Sequence, residues 1–108
     1  MQMCPRINRG VRLTKQTWNE HIVPAHPQVD GYFKLVQEII KTSDEQQAVW
    51  QKANNPKKVC IVRKVPHFLP ENAFLLIGLE MYSDSMAVVT SVYPVDELPS
   101  KEKGYKLL

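Results

Sequence analysis

Imidazoles at His21 and His26, cations at Arg63 and Lys64, and hydroxyls at Thr90, Ser91 and Tyr93 are the side chains of this 108-residue sequence best suited to chemistry on a phosphate ester. An imidazole titrates near pH ~6.5, so it can accept or donate a proton at neutral pH. A guanidinium or ammonium can neutralise charge developing on phosphorus, and hydroxyls can hold the non-bridging oxygens. The set suits phosphodiester cleavage without a metal. Each member also has a plainer reading. His21 can pack beside Trp18, His26 can be a loop residue before Pro27, and Arg63 and Lys64 can be the solvated, pairing-resistant edge of a strand. Thr90 and Ser91 are common strand residues.

Other chemistries find little support. Gly10, Gly31, Gly78 and Gly104 are scattered, so no phosphate-cradling glycine loop is present. No CxxC pair or HExxH motif occurs. His21, His26 and His67 do not stand at metal-ligand spacing, because the five-residue step from His21 to His26 crosses Pro24. No metal and no cofactor are therefore expected. Cys60 lies in an apolar run and reads as a small buried hydrophobe rather than a nucleophile.

The elements that must position these groups can be read from periodicity. A first helix is expected over 14–22, with Thr17-Trp18-Asn19-Glu20 as a capping box, Trp18, His21 and Ile22 on one face, and Pro24 as its end. A second helix is capped by Asp30 and places Tyr32, Leu35, Val36, Ile39 and Ile40 on one face. Strands are expected over 46–52, 59–65, 73–81 and 86–93, the last stopped by Pro94. Strict alternation in that last strand puts Thr90 and Val92 on one face, Ser91 and Tyr93 on the other. The expected fold is α+β, with two N-terminal helices packed on a three- to four-stranded antiparallel sheet.

Length and charge bound the rest. The 14 Lys and Arg against 11 Asp and Glu leave a net charge of +3, and 44% of residues are hydrophobic. These values disfavour disorder and suggest one domain. No run approaches the roughly 18 apolar residues of a membrane span, so no membrane partner is expected. The N-terminus lacks the apolar core of a secretory signal, and two cysteines make no disulfide framework, which points to a cytoplasmic location. Arg6, Arg9, Arg12 and Lys15 precede any acid and make 1–12 a basic arm suited to RNA phosphates; a solvated terminus is the alternative. Residues 13–95 then form the domain and 96–108 a tail.

The order Leu13-Thr14, Trp18-x-x-His21-Ile22, His26-Pro27 resembles the opening of phage- and toxin-associated nuclease domains of the barnase–EndoU–colicin–RelE-like family. The second helix, the Thr42-Ser43-Asp44-Glu45 segment, the cation-bearing Val62-Arg63-Lys64 and the closing Val89-Thr90-Ser91-Val92-Tyr93-Pro94 are similar to the later segments of that family. Gln28 and Ser43 depart from its pattern, where an acid and a proline are common. The resemblance implies a barnase/RelE-like fold and a metal-independent endoribonuclease that cleaves by attack of the ribose 2′-hydroxyl. His26 would be general base or acid with His21 as partner, Arg63 or Lys64 would face the phosphate, and Thr90 and Tyr93 would hold it. It further implies a toxin with an antitoxin or immunity partner, in its own cell or delivered to another. The alternative is a catalytically inactive binding or protein-interaction module. Its support is the modest charge, weak for an RNA binder.

Overall fold

The computed structural model describes residues 2–5, 7–42, 48–65 and 74–108. Arg6, His67 and the Ser43-Asp44-Glu45 segment lie outside the described residues.

The first helical stretch begins where Thr14 accepts a hydrogen bond from the Thr17 amide at 3.1 Å. The cap is thus Thr14 rather than Thr17, and the helix starts with α1 (Lys15–Thr17). It then widens into a π segment over Trp18–Ile22 and returns to a single α turn, α2 (Val23–Ala25). Pro24 explains the widening. In a regular α-helix its ring would strike the Glu20 carbonyl, four residues back, and its missing amide would leave that carbonyl without a donor. The π geometry accommodates such a mismatch, so the helix passes Pro24 and ends at His26. Trp18 and Ile22 are buried here, but His21 is exposed.

A 3₁₀ turn (Pro27–Val29) comes next, closed by the Asp30 amide on the Pro27 carbonyl. Gly31 then takes a left-handed φ of 92°, a conformation that a Cβ disfavours. Because the chain turns there, Asp30 does not cap the next helix, α3 (Phe33–Lys41), whose N-cap is Tyr32. Val36, Ile39 and Ile40 form its buried stripe, as their spacing predicts. No helix among the described residues is long and apolar enough to cross a membrane.

Among the described residues seven strands make one sheet: β1 (Gln2–Cys4), β2 (Arg9–Arg12), β3 (Ala48–Lys52), β4 (Asn55–Lys64), β5 (Phe74–Met81), β6 (Met86–Val95) and β7 (Tyr105–Leu107). Their order is β1-β2-β6-β5-β4-β3-β7. All neighbours are antiparallel except β2 and β6, which run parallel with Gly10 opposite Met86. This overturns the expected fold of two N-terminal helices on a three- to four-stranded antiparallel sheet, and with it the barnase/RelE-like architecture. The four central strands stand close to where the sequence places them. The difference comes from the ends of the chain, which add β1, β2 and β7, and from the parallel β2–β6 contact. β6 also runs through Pro94, near its end, where it pairs on one side only and a missing amide is tolerated.

The central strands are apolar on both faces. Val59, Ile61, Leu75, Ile77, Leu79, Ala87, Val89 and Val92 join Trp18, Ile22, Val36, Ile39 and Ile40 in the main core. Cys60, Val62 and Leu76 point the other way and gather Trp50, Phe74, Tyr93, Val95 and Tyr105 around them. The helical residues bury into the first cluster; among the described residues the second is built from strands. β2 belongs to the core as well, since Val11 is 1% exposed. Val11→Asp should therefore lower unfolding free energy by about 3 kcal/mol or more in urea denaturation, the cost of an uncompensated buried charge. Unchanged stability would show that residues 9–12 are not part of the folded core.

Candidate functional site

The second face of the sheet holds a groove of about 230 Å³. Its floor is Gly78 in the middle of β5, directly across from Cys60 on β4 and Ser91 on β6. A Cβ at Gly78 would run into the Ser91 hydroxyl, so glycine is what opens this space. Thr90, Ser91 and Tyr93 of β6 form one wall, Lys58 and Glu80 one end, and Lys52 with Tyr105 the other wall.

Thr90 reaches the groove through a β-bulge. Gly78 pairs with Ser91 and Leu79 with Val89, so Thr90 is the extra residue on β6. The bulge breaks the alternation expected from the sequence. Thr90 does not share a face with Val92, which is fully buried in the main core; it lines the groove with Ser91 and Tyr93. Its hydroxyl donates to the Gly78 carbonyl at 3.3 Å.

His26 and Tyr93 come together. Their rings stack with centroids 4.8 Å apart and planes inclined by 26°. The π segment and the 3₁₀ turn deliver His26 to this place, beside the outer part of β6. The other sequence candidates stand elsewhere. His21 is exposed and its ring makes no hydrogen bond, ion pair or ring contact with a described residue. Arg63 and Lys64 are exposed at the end of β4, opposite Leu75 and Phe74, and do not line the groove. Arg9 is a structural clamp: its guanidinium donates to the Ser83 carbonyl at 2.9 Å and the Ile7 carbonyl at 3.1 Å. Arg12 and Lys15 are exposed on β2 and α1.

Between the charged side chains of Lys52, Lys58 and Glu80 the groove presents the hydroxyls of Thr90, Ser91, Tyr93 and Tyr105 and the thiol of Cys60. Burial pushes the Cys60 thiol up to about 11, which keeps it unreactive at neutral pH. Burial also raises the Tyr93 phenol, with smaller contributions from the neighbouring Tyr105 and Cys60. The Ser91, Tyr93 and Tyr105 hydroxyls make no hydrogen bond to a described residue. Trp50 Nε1, on the same face, is buried and finds no acceptor among the described residues. Among the described residues, no group of three or more His, Cys, Asp or Glu is gathered to hold a metal ion.

Sequence reasoning missed Lys52, Lys58, Gly78, Glu80, Trp50 and Tyr105. For Lys58 and Glu80 a signal existed, since alternation from Cys60 and from Leu76 puts both on the groove face. For Tyr105 it did not, because nothing local announces that the chain's end pairs with β3.

No family model, no curated protein and no solved structure matches this chain.

The raised thiol of Cys60 carries a pH dependence of stability. In the unfolded chain the thiol ionises near 9.0; in the folded protein it stays protonated to about 11. Its contribution is therefore full below pH 9 and is lost as pH rises from about 9 towards 11. Melting temperature should fall over that window, and Cys60→Ala should make the fall shallower. An equal fall in both proteins would remove Cys60 as a cause.

Proposed function

We propose that this protein binds single-stranded RNA on the open face of its sheet and does not cleave it. The observation that carries the reading is the composition of that face: Tyr93 and Tyr105 line the groove with Lys52 and Lys58, and Trp50 and Phe74 pack on the same strand cluster. Aromatic rings offer stacking surfaces to any base, and lysines follow the phosphate backbone. The groove hydroxyls of Ser91 and Tyr93, which no described residue occupies, suit the 2′-hydroxyls that distinguish RNA from DNA.

Catalysis by 2′-hydroxyl attack is less well supported. That chemistry needs a second proton-transfer group and a cation at the phosphate held by His26. His21, Arg63 and Lys64 are the sequence candidates, and none of them lines the groove or makes a hydrogen bond, ion pair or ring contact with His26. What stands against His26 is Tyr93, a stacking partner.

Fluorescence anisotropy with a labelled single-stranded oligouridine RNA in EDTA tests this. Binding should weaken with salt, with log K falling by about 0.7 per log unit of salt for each phosphate neutralised, and Lys52→Ala should flatten that slope by about one such step. Tyr105→Ala should weaken binding roughly 5- to 150-fold, as loss of one stacked base predicts. The RNA should remain intact on a gel. Absence of binding at low salt would sink the proposal, and EDTA-resistant cleavage that disappears in His26→Ala would replace it with the nuclease.

A further inference from the structure

At one end of the groove Lys58 and Glu80 face each other directly across β4 and β5. Directly opposed side chains in an antiparallel pair have Cβ atoms roughly 4.5–5.5 Å apart. Opposite charges so placed usually close on each other, yet Lys58 and Glu80 form no salt bridge with each other or with any described residue. Both side chains line the cavity. The pair presents an acceptor-only carboxylate and a donor-only ammonium side by side at its mouth.

We propose that this pair reads one guanine, and that the groove is a guanine-preferring base pocket. The inference rests on the RNA-binding reading and names the base that the face selects. The Watson–Crick edge of guanine offers two adjacent donors, N2–H and N1–H, and then an acceptor, O6. The Glu80 carboxylate takes both donors in a bidentate, charge-assisted contact, and the Lys58 ammonium donates to O6. No other RNA base matches. Cytosine and adenine present one donor beside acceptors, and uracil places its single donor between two acceptors, which would face the carboxylate. The rest of the pocket suits a purine. Gly78 leaves the floor open, Tyr93 and Tyr105 supply ring surface, and the Ser91 hydroxyl and the Lys52 ammonium are available to the sugar and phosphate. A pocket built only to hold phosphate would have no use for Glu80, which repels it.

The test uses eight-residue oligouridine RNAs with a single central G, A, C or U, compared by anisotropy against the wild-type chain and Glu80→Gln. The wild type should bind the G-containing strand roughly 5- to 150-fold more tightly than the all-U strand, the discrimination expected of one bidentate base contact. Glu80→Gln should abolish the preference while keeping or tightening binding to the all-U strand, since it removes a negative charge. Both side chains are exposed, so the variant should fold, and its circular dichroism should match the parent. If all strands bind equally, or if Glu80→Gln keeps the preference, guanine reading is wrong and the RNA-binding face stands. If no strand binds, both are wrong.

Discussion

Strands β4, β5 and β6 carry apolar side chains on both faces, while the helical stretch before β3 can pack on one face alone. The rest of the structure depends on that imbalance. On the first face α3, the π segment and the 3₁₀ turn bury a continuous aliphatic core. On the second, the strands must shelter Cys60, Val62 and Leu76 themselves, and they do so with large rings from their own flanks. Trp50, Tyr93 and Tyr105 are suited to this because each has an apolar body and a polar edge. A face sheltered in this way is half dry and half wet. It is also the kind of surface on which planar ligands settle.

Two irregularities turn this face into a site. The bulge at Thr90 moves one hydroxyl from the core face to the groove face and leaves one residue of the ladder unpaired. The π segment ahead of Pro24 sets the angle at which the chain leaves the helix, and so lets His26 lie against Tyr93. Neither is a feature of regular α- or β-structure. Both sit where a regular element would send a polar group into the core or out to solvent.

The sequence is readable wherever a repeat of 3.6 or 2 residues is strong. Val36, Ile39 and Ile40 announce α3, and the runs around Cys60, Ile77 and Val89 announce β4, β5 and β6. It is unreadable where the decisive contact is distant. Arg9–Arg12 has only Val11 as an apolar strand signal, and its charges suggest an arm, but its partner β6 lies at the other end of the chain. Tyr105–Leu107 is too short to be recognised without β3 beside it. The candidate site is legible in part. Histidine and hydroxyl chemistry points to His26 and Tyr93, whose rings meet, and to Thr90, which lines the groove with Tyr93. Arg63 and Lys64 stand out as cations in an apolar strand, whereas the groove's cations, Lys52 and Lys58, stand at the end of one expected strand and just before the next.

The parallel pairing of β2 with β6 has a kinetic side. Gly10 meets Met86, so more than two thirds of the chain must be in hand before that ladder can form. Such non-local pairings are slow to find, on the order of milliseconds to seconds, because loop-closure entropy is lost before any contact compensates for it. The hairpins β3–β4, β4–β5 and β5–β6 need no such wait. The order of assembly this suggests is a four-stranded meander first, with β2 added along β6 and then β1 along β2. The free flank of β6 would stay open to strand addition until they arrive, which makes it the segment through which a half-folded chain would self-associate.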